Sequence, residues 1–385
     1  MISKNCKRVR ANRLFDGKQY HHDIVMTIQN GVISSLQKDS AHCDVFVDGL
    51  VAPGFVDLQV NGGGSVLFNS NPTLHSLQKI VSTHSMFGTT AMLPTIITDD
   101  IQVMRMAADA ISAAIKQKTL GIIGIHFEGP HISIAKKGAH SEAFIRPLSK
   151  AEWTVFERQD IGQILVTLAP ELVPIEDIQR LVSLGIIVSI GHSNATYDCA
   201  NNAINAGARG FTHLFNAMSP VSAREAGVTG CALLNDNAQC GLIVDGHHVS
   251  VASCKLAIKA KPQGGIFLVT DAMPPVGTQL HEFDFFDRKV TCNNGKLTSS
   301  TGELAGSNLN MATAVKNSIA LLNVMEDEAL RMASLYPLKF LTSARLPILP
   351  SALLAPDQKA NFVQLNEDYS VRSTWINGQC VFNIN

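Results

Sequence analysis

The sequence predicts an α/β fold, a (β/α)₈ barrel of the TIM type that carries a small β-sandwich domain built from both ends of the chain. Eight short apolar runs recur along the middle of the chain, and helical stretches such as 99–118, 175–184, 196–206 and 251–261 lie between most of them. Toward both ends the pattern changes to short strands joined by turns. An open, doubly wound sheet is the structural alternative to the closed barrel.

The eight apolar runs are the predicted barrel strands. Nearly every residue in them is apolar, which is typical of parallel strands that are buried on both faces. They span residues 51–60, 90–97, 121–128, 164–170, 186–192, 210–216, 240–246 and 265–271. Polar residues stand at the carboxyl ends of four runs, which is the end that carries the chemistry in a barrel of this kind. These residues are Glu128, His192, His213 and Asp271.

The two ends of the chain predict one small β-domain, formed by residues 1–50 and 346–385. Each end contains short strands and an Asn-Gly pair, the preferred sequence of a tight hairpin turn. The barrel then occupies residues 51–345. A third Asn-Gly pair predicts a hairpin insertion near 283–299, after the last barrel strand.

The composition excludes several classes of function. Of 385 residues, 46% are hydrophobic and 16% charged, which indicates a large folded interior. The formal net charge of -1 predicts no attraction to nucleic acid or to an anionic membrane, and the apolar runs are too short to span a bilayer. Eight scattered cysteines without a CxxC pair favour free thiols in a reducing compartment. We therefore expect a cytoplasmic protein that acts on a small-molecule substrate.

Three of the polar residues at strand ends predict a metal site. Glu128, His192 and His213 follow apolar segments of neighbouring barrel units, so their side chains should converge. Two imidazoles and one carboxylate are a common catalytic set for Zn²⁺ or a similar ion, with a position left open for water. Each histidine taken alone also fits a buried core residue with satisfied hydrogen bonds.

Asp271 ends the last predicted strand and is a candidate general base and acid. A carboxylate there can take a proton from water and return it to a leaving nitrogen, which departs poorly unless it is protonated. Asp is also common after strands as a helix cap or loop residue, and the residues alone leave both roles open.

Ten short segments together resemble the N-acetylglucosamine-6-phosphate deacetylases of the amidohydrolase superfamily. They occur in the family's order over essentially the whole chain. The segments are PGFVDLQVNG from Pro53, HFEGPHIS from His126, KGAH from Lys137, LAPE from Leu168, GHSNAT from Gly191, THLFNAM from Thr212, Arg224-Glu225, DGHHV from Asp245, VTDA from Val269 and GELAGS from Gly302. The resemblance implies a barrel with a small β-domain, a homodimer, and hydrolysis of the N-acetyl group of N-acetylglucosamine 6-phosphate.

The resemblance also implies a role for each matching residue. Glu128, His192 and His213 match the family's metal ligands. Asp271 matches its general base and acid, and His140 matches a histidine that supports the acetyl carbonyl as it becomes an oxyanion.

The remaining matches concern the substrate. Asn216, the backbone of Ala217, and His248 match groups that hold the sugar phosphate, and Ala139 is expected to line the same site. Arg224 matches an arginine that reaches the substrate phosphate of the neighbouring subunit. Arginine suits that role because its guanidinium offers paired donors to phosphate oxygens.

One departure concerns the number of metal ions. Many amidohydrolases carry His-x-His at the end of the first strand for a second metal, but this chain has Gln59 and Asn61 there. Neutral amides are weak ligands for Zn²⁺, so we expect one divalent ion per subunit, with Gln59 turned toward the substrate site. Zinc is the expected metal, while iron, manganese and cobalt also suit a Glu-His-His set.

Two alternatives stay open at this point. One is a metal-dependent amidohydrolase that acts on another N-acyl sugar phosphate, such as N-acetylgalactosamine 6-phosphate. The other is a non-catalytic relative that binds a sugar phosphate. A non-catalytic descendant would be expected to have lost a ligand or the acid–base residue, and all four are present.

Metal analysis tests the expectation of a single ion. Purified protein, dialysed to remove loosely held ions, is expected to retain one equivalent of a divalent metal per chain, because Gln59 and Asn61 bind a second ion too weakly. Two tightly held equivalents, measured by inductively coupled plasma mass spectrometry, would contradict this prediction.

Overall fold

The computed structural model describes residues 6–38, 43–342 and 350–384. It confirms the predicted barrel and the small β-domain built from both ends of the chain. An eight-stranded parallel sheet forms the barrel, and a seven-stranded sheet combines strands from the two termini. Within the described residues, no helix has the length and apolar character needed to cross a membrane.

Twenty strands occur in the described part of the chain. In chain order they are β1 (Cys6–Phe15), β2 (Tyr20–Gln29), β3 (Val32–Gln37), β4 (Val45–Pro53), β5 (Phe55–Val60), β6 (Gly62–Gly63), β7 (Val66–Leu67), β8 (Thr89–Ile97), β9 (Gly124–Glu128), β10 (Gln163–Leu168), β11 (Ile187–Ile190), β12 (Gly210–Phe211), β13 (Gln239–Leu242), β14 (Ile266–Leu268), β15 (Glu282–Phe285), β16 (Arg288–Asn293), β17 (Lys296–Ser299), β18 (Phe362–Leu365), β19 (Val371–Ile376) and β20 (Gln379–Asn383).

Ten α-helices cover the barrel and fill the connections within the same residues. They are α1 (Leu74–Ser85), α2 (Ile101–Lys116), α3 (Lys150–Phe156), α4 (Ile175–Ser183), α5 (Tyr197–Asn205), α6 (Gly227–Leu234), α7 (Val251–Ala260), α8 (Met311–Leu322), α9 (Glu326–Ala333) and α10 (Leu335–Leu341). Side chains that accept a hydrogen bond from the first turn explain where several of them begin, as Asp100 does for α2 and Asn310 for α8.

The barrel strands lie in the order β5-β8-β9-β10-β11-β12-β13-β14. The two end strands meet just beyond their carboxyl ends, where Val60 forms a parallel bridge with Ala272. There the Asp271 N–H donates to the Gln59 carbonyl at 3.0 Å, and the Asn61 N–H donates to the Ala272 carbonyl at 2.9 Å. The barrel therefore closes through residues that also belong to the candidate site.

The first predicted strand, 51–60, is wrong as a single element. Strand β4 continues to Pro53 and pairs with β18 of the terminal sheet, whereas β5 begins at Phe55 and enters the barrel. Residues 51–53 and 55–60 are buried and mostly apolar, so hydrophobicity does not distinguish two consecutive strands that belong to different sheets.

Several barrel strands end earlier than the sequence predicts. Strand β11 ends at Ile190, β12 at Phe211 and β14 at Leu268. His192, His213 and Asp271 therefore lie two or three residues beyond their strands, in the turns that follow. Hydrophobicity extends the prediction too far because these turns are themselves buried at the top of the barrel.

The terminal sheet has the order β20-β19-β18-β4-β1-β2-β3. Its apolar side forms a separate cluster in which Phe362 and Trp375 stack with ring centroids 5.3 Å apart. The division of the chain at residues 50 and 51 stays a prediction, and the boundary predicted at 345 and 346 lies outside the described residues.

The predicted hairpin near 283–299 is a three-stranded antiparallel sheet, β15-β16-β17. Its Asn294-Gly295 pair forms the turn between β16 and β17. Phe283 and Phe285 pack into one apolar cluster with Ile97 and Met273, which places this small sheet against the mouth of the barrel.

Candidate active site

Three candidate site residues adopt a backbone conformation that side chains rarely take. His192, His213 and Asp271 have φ angles of 49°, 31° and 54°. Residues other than glycine in this left-handed region are uncommon and concentrate at functional sites. The turns aim all three side chains into one cavity at the mouth of the barrel.

The three predicted metal ligands form a compact triangle. The Oε1 atom of Glu128 lies 3.2 Å from His192 Nε2 and 2.9 Å from His213 Nε2, and the two Nε2 atoms are 3.0 Å apart. Ligand atoms around a tetrahedral Zn²⁺ with bonds of about 2.0–2.1 Å are about 3.3 Å from one another. Three buried donor atoms converging at nearly this spacing fit a divalent cation.

His140 is a fourth candidate for the ion. Ligand atoms of Glu128, His140 and His192 all lie within 4.8 Å of one another. The ring of His140 lies 4.3 Å from that of His192, between centroids, and its Nδ1 atom is 2.8 Å from the Thr98 hydroxyl. This position is compatible with either a ligand or a donor to the substrate.

The charge of the cluster is balanced by mutual hydrogen bonds. Burial by itself raises the pKa of Glu128, but hydrogen bonds with His192 and His213 outweigh burial and hold that pKa well below its usual range. Burial lowers the pKa of His213, and the adjacent Glu128 carboxylate more than reverses this effect. Burial keeps the pKa of His140 well below its usual range, so this imidazole is neutral near pH 7.

Asp271 lies beside this triangle and is held by two side-chain amides. Asn61 Nδ2 donates to its Oδ1 atom at 2.6 Å, and Gln59 Nε2 lies 3.2 Å from the same oxygen. Gln59 Nε2 also lies 3.0 Å from Glu128 Oε1, so this amide connects the two carboxylates. Burial, followed by the nearby charge of Glu128, raises the pKa of Asp271 to about 6.

A cavity of about 330 Å³ brings most of the predicted residues together. Its walls contain Glu128, Ala139, His140, His192, His213, Asn216, Ala217, His248 and Asp271. Gln59 does not line the cavity and acts through its contacts with the two carboxylates. Arg224 is exposed in the loop before α6, and it is absent from the cavity walls in the described part of the chain.

Two further residues support the site and were not predicted from the sequence. Asp245 Oδ2 lies 2.6 Å from His248 Nδ1, and Lys136 provides the carbonyl that lies 2.9 Å from His192 Nδ1. Asp245 stands in the same short segment as His248, which was an available signal. The contact made by Lys136 uses its backbone, so its side chain gave no signal.

Comparison with known proteins places the chain in a family. Residues 50–381, most of the chain, match the model of the Amidohydrolase family. This chain belongs to the amidohydrolase family. Enzymes of this family are hydrolases that depend on metal, and the buried group of Glu128, His140 and His192, which could hold a metal ion, agrees with this dependence.

Two relatives of this amidohydrolase share its length. The N-acetylgalactosamine-6-phosphate deacetylase of Shewanella sp. (strain ANA-3) is 45% identical over 93% of this chain and 90% of its own. The N-acetylglucosamine-6-phosphate deacetylase of Haemophilus influenzae is 33% identical over 85% of each chain. The crystal structure of N-acetylglucosamine-6-phosphate deacetylase from Pasteurella multocida superposes with a TM-score of 0.92 at 34% identity, covering 97% of this chain and 99% of that one.

Replacing Asn61 by alanine tests the electrostatics of Asp271. The amide of Asn61 stabilises the ionised carboxylate and lowers its pKa, so the Asn61→Ala variant should have a higher Asp271 pKa. Asp271 is the general base predicted from the sequence, and a base must be ionised to act, so activity is expected to rise as pH rises through this pKa. The acidic limb of the kcat/KM–pH profile is therefore expected to move to higher pH in the variant.

A buried asparagine outside the site provides the control. Asn69 bonds to the backbone of Ile97 and to the Asp99 carboxylate, so Asn69→Ala should leave the acidic limb in place. An unmoved limb in Asn61→Ala, or an equal shift in both variants, would contradict the coupling of Asn61 to Asp271.

Proposed function

We propose that the chain removes the acetyl group from an N-acetylhexosamine 6-phosphate, giving acetate and the free amino-sugar phosphate. The observation that carries the proposal is that Asp271 and the triangle of Glu128, His192 and His213 share one cavity. Hydrolysis of an unreactive amide requires an acid–base carboxylate beside a cation site, and this arrangement supports both roles. The relatives that match nearly the whole chain are deacetylases of such sugars.

The 2-acetamido sugar that the sequence analysis favours is the glucosamine epimer. The galactosamine epimer is the second candidate. The chain is 45% identical to the Shewanella enzyme, which is named for the galactosamine sugar, and 33% identical to the Haemophilus enzyme, which is named for the glucosamine sugar. This difference in identity favours the galactosamine sugar as the substrate. The two sugars differ only in the direction of one ring hydroxyl. We propose that N-acetylgalactosamine 6-phosphate is the better substrate and that N-acetylglucosamine 6-phosphate also reacts.

The proposed cofactor is one divalent ion, with zinc as the expected metal. Glu128, His192 and His213 would hold it, and His140 would stand beside it. When bound, the ion supplies a Lewis acid that polarises the acetyl carbonyl and makes water more acidic. Gln59 and Asn61 donate hydrogen bonds to Asp271 in this structure, which is consistent with a single ion.

The side chains of the chain itself move the protons. Asp271, with a pKa raised to about 6 by burial, is ionised near neutral pH and takes a proton from the attacking water. The same carboxyl group then protonates the sugar nitrogen, so that an amine and not an amide anion leaves. His140 is neutral, and its Nδ1 atom lies 2.8 Å from the Thr98 hydroxyl. We propose the tautomer in which Nδ1 accepts from this hydroxyl, so that the Nε2 hydrogen is directed to the developing oxyanion.

The phosphate end of the substrate is assigned to polar groups that line the same cavity. Asp245 orients His248 through a hydrogen bond to the imidazole. Burial raises the pKa of Asp245, but the hydrogen bond with His248 outweighs burial and lowers this pKa to about 2. Asn216 and Ala217 stand beside it in the cavity wall. We propose that Arg224 completes this wall from the neighbouring subunit of a homodimer, since it is exposed outside its own cavity.

The proposed compartment is the cytoplasm. All eight cysteines are free in the structure, which fits a reducing environment.

A substrate panel tests the proposed function. Acetate release is expected from both 6-phosphorylated sugars, with the higher kcat/KM for N-acetylgalactosamine 6-phosphate, and it should stop with a chelator and return when metal is added. Both unphosphorylated sugars should react at least about 100-fold more slowly, because they lack the charged contacts of the phosphate. Equal turnover with and without the phosphate would remove His248 and Arg224 from their assigned roles.

The Asp271→Asn variant tests the acid–base role. It should lower kcat by about 10²–10⁴-fold, because the amide cannot accept the proton, while the dissociation constant of the substrate stays close to that of the wild type. Calorimetry measures the binding and acetate release measures kcat. Asp368→Asn is the matched control on the exposed surface, and unchanged activity in Asp271→Asn would exclude this carboxylate from the mechanism.

Subunit mixing tests the role of Arg224. Inactive Arg224→Ala and Asp271→Asn subunits are expected to recover about a quarter of wild-type activity after exchange, because half of the dimers are mixed and each has one complete site. A mixture of Asp271→Asn with the double variant Arg224→Ala/Asp271→Asn should stay inactive. No recovery in dimers shown to exchange would assign Arg224 to its own subunit.

A further inference from the structure

One ring nitrogen of the proposed metal site lacks a partner. His213 directs Nε2 toward Glu128 and His192, whereas its Nδ1 atom is buried and has no hydrogen-bond partner among the described residues. His192 differs, because its Nδ1 atom lies 2.9 Å from the Lys136 carbonyl. A neutral imidazole whose Nε2 faces a cation carries its hydrogen on Nδ1, and that N–H requires an acceptor.

A second, smaller cavity lies next to His213 inside the barrel. It offers about 10 Å³ to the centre of a water molecule, which is the size needed for one water. Leucine, phenylalanine and valine side chains form much of its wall. The polar residues that line it are Gln59, His126, Ser189, Thr212 and His213.

A row of hydroxyl groups leads away from this cavity. Ser189 Oγ lies 2.8 Å from Thr212 Oγ1, and Thr212 Oγ1 lies 2.6 Å from Thr167 Oγ1. The row ends on His126, whose Nε2 atom is 2.7 Å from the Thr167 hydroxyl. The interior of such a barrel is normally filled by layers of branched apolar side chains, so a buried polar row of this length is unusual.

The last residue of the row, His126, determines which hydroxyl donates and which accepts in each hydrogen bond. A neutral imidazole has one N–H, and the two partners of the His126 ring indicate which nitrogen carries it. We assign this hydrogen to the backbone carbonyl of Leu58, which bonds to the ring and can only accept. Nε2 then accepts from Thr167, and each hydroxyl donates to the next one toward His126.

The first hydroxyl of the row is therefore an available acceptor. In this arrangement Ser189, which lines the small cavity, donates its hydrogen to Thr212, so its Oγ atom can still accept a hydrogen bond. His213 lines the same cavity and has an N–H on Nδ1 to donate. One molecule that can both accept and donate would satisfy the two groups.

We propose that a single buried water occupies this cavity, accepts a hydrogen bond from His213 Nδ1 and donates one to Ser189 Oγ. The inference rests on the proposed role of His213 as a metal ligand. Ser189, Thr212 and Thr167 are then positioning residues, because the row fixes the orientation of the water. The water fixes the tautomer and the ring plane of His213, so that Nε2 presents its lone pair to the cation.

Metal affinity, measured without reference to activity, tests the proposal. Metal-free protein is titrated with Zn²⁺ in competition with a chromogenic chelator. The Ser189→Ala variant removes the acceptor, and Thr212→Val removes the next hydroxyl while keeping the side-chain volume. Both variants are expected to bind the ion about 10-fold more weakly, as is typical when a partner of a ligating histidine is lost.

Thr212→Ser is the matched control, since it keeps the hydroxyl and should keep the affinity of the wild type. Thermal melting of the metal-free variants separates folding from binding: the affinity loss is expected in protein whose melting point stays close to that of the wild type. Wild-type affinity in folded Ser189→Ala, or an equal loss in Thr212→Ser, would overturn the proposal.

A high-resolution crystal structure of the metal-loaded protein provides the direct observation. Electron density for one water within about 3 Å of both His213 Nδ1 and Ser189 Oγ is expected. A well-ordered site without this density would overturn the inference. A wild-type protein that binds no divalent ion would instead refute the proposed function, so the two failures are distinguishable.

Discussion

The site depends on a carboxylate that is buried as a charge. Glu128 lies at the end of β9 with 2% of its surface exposed, and an unpaired carboxylate in such a position costs several kcal/mol. His192, His213 and the amide of Gln59 all reach its Oε1 atom. These partners come from different strands, so the charge is stabilised only when the barrel has closed and its strand ends have converged.

Closure of the barrel also sets the position of Asp271, the proposed acid–base group. The backbone bonds that join the ends of β5 and β14 hold Gln59 beside Asp271, and the same two residues then interact through their side chains. Asp57 of β5 adds to this connection between the two end strands, because its buried carboxylate accepts hydrogen bonds from the backbone and the hydroxyl of Thr270. The distance between Asp271 and the cation site is therefore fixed by the fold and not by a flexible loop.

The turns that follow the barrel strands contain residues with an unfavourable backbone conformation, and the packing around them offsets its cost. His192, His213 and Asp271 each have a left-handed backbone, which costs roughly 1–2 kcal/mol for a residue with a side chain. Ala217, in the loop after His213, has a φ of 51° as well. Such conformations bend the chain sharply after each strand, so that successive side chains turn inward and face a common cavity.

The sequence by itself determined the barrel, the terminal β-domain and the candidate residues Glu128, His192, His213 and Asp271, because apolar periodicity and residue chemistry are local properties. It did not separate β4 from β5, since two buried strands look alike whichever sheet they join. Only the tertiary structure decided that Asn61 and Gln59 hold Asp271, that Lys136 orients His192, and that His213 faces a small cavity. Those contacts join residues far apart in the chain, and their geometry exists only after the strands have paired.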